Sequence, residues 1–497
     1  MEFQKKQDDG RRAIRNKQLI RVVQFLSCML LTTFVGQAAL AQTAVEIELH
    51  NTASAEDDFL CWSPVKARVR LAQTQSSDKT VSVSGTVSGN GRLQFSAQSA
   101  TSLTSNTYSP NDQINIELPA NGGWVELFVS GSKASDGSKD VSIRVAEATS
   151  GSELGLLPVM VRVRKNANNL SQVEKSNLLN ALASLNGHQS AIPTESYEKY
   201  ANAHRVAFEI GIHQGHMGWP LFLAWHRAFL LSLERELQQI DPTVTIPYWR
   251  FDEDNSNIFT PDFMGTVAGS TSPFGTIVQF SQTNPMLGWR MTSGGTLTRL
   301  RDSSTRLQNV YPPSRFQLLH LIMDGSGANE YGGSVPANGI NSQLERRHHN
   351  YAHDSVRGWL GSGASPRDPL FFLLHANVDR AWAEWQAKLG KFNKSEVSAY
   401  SAQGAYPGSG GSSTPFRKSS YAQDVMWPWS QDDGSSTPND SQDNWPSSGF
   451  AFLPSPSGFA PVGDPTPASM IDYLGMLNST DSTGFCYDHI NYFGEVQ

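Results

Sequence analysis

The chain contains twelve histidines, and nine of them fall between positions 204 and 375. Imidazole is the commonest neutral metal ligand near pH 7, so such clustering points first to metal chemistry. One group comprises His204, His213, His216 and His226; the other comprises His349, His353 and His375. His349 and His353 are four apart, which on a helix puts both rings on one face about one turn apart. His375 lies in Asp368-Pro369-Leu370-Phe371-Phe372-Leu373-Leu374-His375-Ala376-Asn377-Val378-Asp379-Arg380, an apolar stretch that would bury the ring and turn it toward the other two. Two groups of three neutral imidazoles, with no thiolate or carboxylate among them, suit two copper ions. They suit zinc less decisively, since zinc more often takes one three-histidine site with a water. A lone histidine on a buried helical face is usually only a core residue; several that converge are weighed differently.

Helices must position these rings. Tyr197, Tyr200, His204, Ala207 and Gly211 fall on one helical face. His226 opens a second stripe with Leu230, Leu233, Leu237 and Ile240. Both stripes place a histidine on the buried side of a helix. Upstream, Ser171-Gln172-Val173-Glu174 has capping-box form and precedes Leu178, Leu179, Leu182 and Leu185 at helical spacing. The chain is read as mainly helical with long loops from about 166 to 395, and facing helices with two such groups would hold a core metal pair. Residues 403–465 are rich in Gly, Ser, Pro and Asp, yet carry Trp427, Trp429, Trp445, Phe450 and Phe452, which suggests a loop packed on a neighbour.

Residues 44–165 read differently. Val45, Ile47 and Leu49 alternate with charged residues, as do Val65, Ala67, Val69 and Leu71, and Ile114, Ile116 and Leu118. Period-two alternation marks strands with one buried face. Turn signals at Gly89-Asn90-Gly91, Asn121-Gly122-Gly123 and Asp136-Gly137 separate them. Six or seven short strands at this spacing predict an all-β, immunoglobulin-like sandwich. It holds no catalytic cluster and reads as a structural or docking module.

The first 41 residues are set apart from the fold. Arg11, Arg12, Arg15, Lys17 and Arg21 precede an apolar run from Val22 to Val35, and Ala39-Leu40-Ala41 has the form of a cleavage site. This is an expected export signal, with periplasm or medium as destination. A membrane anchor is the alternative, although the run is short for a span. Arg11-Arg12 also allows a twin-arginine signal. Cleavage would remove seven Lys or Arg and three Asp or Glu, taking the formal charge from −7 to −11. An acidic chain without a basic cluster argues against nucleic acid and anionic membrane as partners. Two cysteines would remain, Cys61 and Cys486, either as a disulfide or as two buried thiols.

Trp225-His226-Arg227-Ala228-Phe229-Leu230 resembles the copper A signature of tyrosinases, polyphenol oxidases and molluscan haemocyanins. His349-Asn350-Tyr351-Ala352-His353, with Asp368-Pro369-Leu370-Phe371-Phe372 and His375 through Asp379-Arg380, resembles their copper B signature. Pro247-Tyr248-Trp249, Asp424-Val425-Met426-Trp427-Pro428-Trp429 and Phe485-Cys486-Tyr487-Asp488 resemble further family segments, so the likeness covers roughly residues 166–497. It implies a four-helix bundle core holding two coppers. His204, His216 and His226 would bind copper A; His349, His353 and His375 would bind copper B. His216 and His226 are separated by nine residues where the family usually has eight, so His213 stands as a rival to His216. Leu374 stands where many members have a second histidine, and no cysteine lies near His213 or His216 to form the thioether of some members. His320 and His348 are read as bystanders.

Glu345 and Asn350 match a pair proposed in the family to hold a water that deprotonates a monophenol. The resemblance thus implies o-hydroxylation of monophenols and oxidation of o-diphenols to o-quinones, with dioxygen and small phenols as partners. A haemocyanin-like oxygen carrier without phenol turnover is the alternative; an adhesive sandwich on a degenerate copper domain is a third reading. The expected organisation is an export signal (1–41), a β-sandwich (42–165), a mainly α copper domain (166–395) and a loop-rich extension closing it (396–497), with no membrane span in the mature protein.

Overall fold

The computed structural model describes residues 44–51, 56–97, 110–187, 197–209, 220–251, 253–267, 271–272, 275–291, 294–300, 331, 339–400, 422–423, 425–429, 464–478 and 481–490. The expected export signal, Gly211, His213, His216, His320, Trp445, Phe450 and Phe452 lie outside these residues.

Nine strands, more than the expected six or seven, occupy the first part of the described chain. They are β1 (Val45–His50), β2 (Phe59–Leu60), β3 (Val65–Leu71), β4 (Lys79–Val87), β5 (Arg92–Ser96), β6 (Gln113–Leu118), β7 (Val125–Lys133), β8 (Val141–Glu147) and β9 (Glu153–Val161). One sheet has the order β1-β3-β7-β5 and the other β2-β9-β8-β4-β6. The alternation in sequence sets the register: Leu49 faces Ala67 and Ile47 faces Val69, while Glu48 faces Arg68 and Glu46 faces Arg70. Ala67, Val69, Val81, Val83, Leu127, Val129, Ile143 and Val145 are fully buried, and residues of both sheets share one apolar core. The Arg68–Glu48 and Arg70–Glu46 pairs stand on the outer face, where each contributes at most about 1 kcal/mol. The strand that sequence patterning could not show is β2, a two-residue strand that pairs parallel to the end of β9.

Helix α1 (Gln172–Asn186) starts at the expected capping box: Ser171 Oγ accepts from Glu174 N, and the Glu174 carboxylate accepts from Ser171 N. Helix α2 (Glu198–Glu209) buries Tyr200, His204 and Ala207 on one face, with Tyr197 just before it. Helix α3 (Leu221–Ile240) is buried almost all round. The stripe expected to run to Ile240 ends at Leu237, because the last turn emerges into solvent and leaves Ile240 44% exposed. Helix α4 is compound: Ile340–Gln343 is α-helical, Leu344–His349 is wound as a π-helix, and Asn350–Val356 is α-helical again. Helix α5 (Leu370–Leu389) is again buried on nearly every side and stops at Gly390 in the left-handed conformation. Such all-round burial marks α3 and α5 as the central elements. Three short strands, β10 (Thr271–Ser272), β11 (Gly275–Ile277) and β12 (Thr298–Arg299), form a small sheet absent from the sequence reading.

The described residues from Val45 onward form one compact unit. Its strand-rich and helical parts are joined where the chain leaves β9. Arg164 N donates to Cys486 O at 2.8 Å and Asp488 N to Arg164 O at 3.1 Å, so the C-terminal segment lies along the β-to-α connection. Cys61 and Cys486 are disulfide-bonded, with Cα atoms 6.2 Å apart. Trp62 Nε1 donates to Tyr487 O, and Ser63 Oγ to Leu474 O. Among the described residues no helix is long and apolar enough to cross a membrane.

Candidate metal centre

Five histidines converge where α2, α3, α4 and α5 meet. His204 comes from α2, His226 from α3, His349 and His353 from α4, and His375 from α5. His226 and His375 stack with ring centroids 4.0 Å apart and planes at 13°. His349 lies 4.4 Å from His353 and 4.7 Å from His375, and His204 lies 5.9 Å from His226. His349, His353 and His375 each offer a ring nitrogen within 4.8 Å of the others, a separation one metal ion can fill. The expected second ligand of the other group, whether His216 or His213, lies outside the described residues.

The hydrogen bonds fix which nitrogen faces inward. His204 Nδ1 meets Gly363 O at 2.6 Å, His226 Nδ1 meets Phe222 O at 2.7 Å and His353 Nδ1 meets Leu360 O at 2.6 Å. A carbonyl oxygen only accepts, so each Nδ1 carries the proton and each Nε2 keeps its lone pair. His349 Nδ1 is held in the same sense by the side-chain oxygen of Asn350 at 2.8 Å. At the centre, His353 Nε2 faces His375 Nε2 at 3.4 Å, and His375 Nδ1 is buried without a hydrogen-bond partner. Whichever nitrogen of His375 is protonated, the protein leaves the other ring nitrogen's demand unmet. A metal ion between His353 and His375 would take up the facing Nε2 lone pairs, and a set of neutral imidazole lone pairs fits copper.

Burial keeps the rings neutral. It pushes the imidazole of His204 down to about 3 and that of His353 down to about 4, the carbonyl hydrogen bonds opposing only part of the effect. His375 is held well below the usual range by burial first and then by the four neighbouring imidazoles. Neutral imidazole is the form that ligates. Phe222 closes one side, its ring 4.7 Å from that of His226 and 4.9 Å from that of His349, and Phe371 lies 4.1 Å from His375 and 4.8 Å from His204. His204, His226 and His375 are buried, whereas His349 and His353 are half-buried and Asn350 is exposed. The cluster therefore opens on the α4 side.

Glu345 lies in the π-wound turn and Asn350 follows directly after it. Asn350 N donates to the carbonyls of Glu345 and Arg347, so the wider winding sets residues five apart over one another. Glu345 is buried, not an exposed helix charge. His348 is buried on the same stretch. Sequence reasoning missed the carbonyls of Phe222, Leu360 and Gly363. Backbone groups carry no residue signature.

A buried ionic network braces the two central helices. Arg227, next to His226, donates from Nε to Asp379 Oδ1 at 2.6 Å, and Asp379 Oδ2 accepts from Tyr487 Oη at 2.6 Å and Arg164 Nη1 at 3.1 Å. Arg164 also pairs with Glu234 on α3 at 2.8 Å. The Arg227 guanidinium lies 3.6 Å from the centroid of the Trp382 ring.

Residues 194–388, which carry all five rings, match the family described as the common central domain of tyrosinase. The chain is 30% identical over 243 residues to a tyrosinase of Streptomyces antibioticus, covering 46% of this chain and 83% of that one. It is 32% identical over 240 residues to a tyrosinase of Streptomyces lincolnensis, with the same coverage. A functional unit of octopus hemocyanin aligns with 67% of this chain and 69% of that one at 18% identity and a TM-score of 0.38, a likeness too low to bear on function. The nine strands β1–β9 precede the matched segment. With the matched region coinciding with the convergent imidazoles, the chain belongs to the tyrosinase family.

Proposed function

We propose that the protein uses a pair of coppers and dioxygen to oxidise phenols, hydroxylating monophenols at the ortho position and converting o-diphenols to o-quinones. The observation that carries this reading is the set of imidazoles whose Nδ1 protons are tied outward, leaving Nε2 lone pairs turned to one centre. His204, His226 and His216, with His213 as its rival, would hold one copper; His349, His353 and His375 would hold the other. When bound, the coppers would bind and activate dioxygen, which supplies the oxidising equivalents. The protein's own residues do the rest. Phe222 and Phe371 exclude water from the centre and give an aromatic ring apolar surface to lie against. The half-buried His349 and His353 side, beside Asn350, is where a phenol would enter. The Asn350 oxygen orients His349, and its amide NH2 would hold a water against the Glu345 carboxylate. That carboxylate would take the phenol proton through the water as a general base.

The remaining readings extend this proposal. Residues 1–41 serve as a cleaved export signal and the mature protein works in the periplasm or medium. The sandwich (42–165), the copper domain (166–395), with a four-helix core, and the closing segment (396–497) follow. N-terminal sequencing of the exported protein checks the first of these.

Copper analysis together with a stopped-flow assay on tyrosine, tyramine and catechol tests the function. Two coppers per chain and quinone formation are expected. Two coppers with reversible oxygen binding, but no quinone from these or larger phenols, would make the chain an oxygen carrier instead.

A further inference from the structure

The two carbonyls that orient His353 and His204 lie three residues apart, at Leu360 and Gly363, in one short loop between α4 and α5. The two rings belong to different metal groups and to different helices. The other tethers are local to each ring: His226 uses the carbonyl of Phe222 on its own helix, and His349 uses the adjacent Asn350. The backbone of this loop thus reaches a histidine of each group.

Its position is over-determined. Arg357 sits at φ 47° and ψ −141°, a region that non-glycine residues rarely enter, and Gly358 follows at φ 59°. Arg357 N donates to His353 O, Leu360 N donates to Arg357 O, and Arg357 Nε is tied to Asp354. Gly358 is pressed against β12, where an added Cβ would stand 2.0 Å from Thr298 O, and Leu300 N donates to Val356 O just beside it. At the far end Gly363 lies under the ring of Phe208, one turn beyond His204 on α2, where an added Cβ would come within 2.9 Å of that ring. Leu360 is buried and anchors the middle.

We infer that the loop 357–363 is a shared positioning element, which sets the orientation of one histidine in each metal group and so couples the geometry of the two sites. This rests on the metal reading above. Ligand orientation of this kind changes metal affinity by about 10–100-fold when an outer partner is lost.

The test uses two variants and a metal-free readout. Gly358→Ala must shift the loop away from Thr298, whereas Phe208→Ala removes a half-exposed ring from above Gly363 only. Proton–nitrogen NMR of the metal-free full-length protein at neutral pH reports each Nδ1–H. In Gly358→Ala, the His204 and His353 signals should both lose protection from exchange while the His226 signal stays. In Phe208→Ala, the His204 signal should change most and the His353 signal should follow through the loop. Copper loss to a chelator should then be about 10–100-fold faster in Gly358→Ala, for both ions together. Unchanged His204 and His353 signals in the loop variant overturn the inference. Should Gly358→Ala fail to fold, an unchanged His353 signal in Phe208→Ala overturns it equally. A wild-type chain that takes up no copper, while the ring signals respond as stated, sinks the metal reading and leaves the loop's hold on the two rings standing.

Discussion

Arg227 and Asp379 form a fully buried ion pair, Nε to Oδ1 at 2.6 Å, that joins the helix carrying His226 to the helix carrying His375. Arg227 is the next residue after His226, and Asp379 lies one turn beyond His375. Asp379→Asn removes the charge that two arginines share, leaving Arg227 without a carboxylate in the interior and Arg164 with Glu234 alone. A loss of about 3–5 kcal/mol is expected. It is read as a lower urea midpoint at unchanged slope. A loss below about 1 kcal/mol would show that Glu234 alone neutralises this interior.

Glu345→Gln tests the proposed proton acceptor. The amide keeps the volume but accepts a proton poorly. Monophenol turnover should fall by about 10²–10⁴-fold, the usual contribution of a positioned base. Diphenol oxidation should fall far less, and copper content should hold at wild-type level. Equal loss on both substrates would assign Glu345 a structural part.

The disulfide between Cys61 and Cys486 closes a sequence separation of 425 residues. Its loss should cost about 2–5 kcal/mol. Denaturant curves with and without reductant, beside those of the double Cys→Ser variant, measure it. Reductant should not change the variant's curve.

The histidine cluster makes the metal-free protein acid-sensitive. His204 and His353 titrate near 3 and 4 in the fold, below their ordinary value of 6.5. Between those values the unfolded chain binds more protons, so stability is present above about 6.5 and declines as pH falls toward 4 and then 3. Each imidazole contributes a slope of up to about 1.4 kcal/mol per pH unit. Urea midpoints of metal-free protein at pH 7, 5 and 4 should fall in that order, and copper should blunt the decline above pH 5. A flat profile would mean that the rings reach solvent.

Much of this centre can be read before any fold is known. The i, i+4 spacing of His349 and His353, the stripe from Tyr197 to Ala207 and the Ser171–Glu174 capping box depend on local periodicity, and each appears where periodicity puts it. What sequence does not carry is whatever depends on long-range backbone placement. The π winding of Leu344–His349 adds no distinctive residue. The carbonyls of Leu360 and Gly363 are chemically identical to any others until the loop brings them to a ring. β2 is too short to show alternation, and Arg164 looks like a linker residue until Glu234 and Asp379 close on it. Ile240 shows the opposite failure: its period is right, but the helix end has already left the core.

The bond from Cys61 to Cys486 has a mechanical meaning as well. It turns everything between these residues into a closed ring that includes all five imidazoles. A pull applied to the chain before Cys61 and beyond Cys486 runs through the sulfur–sulfur bond and bypasses α2 through α5. The centre thus sits outside the load path, shielded from tension as long as that one bond is intact.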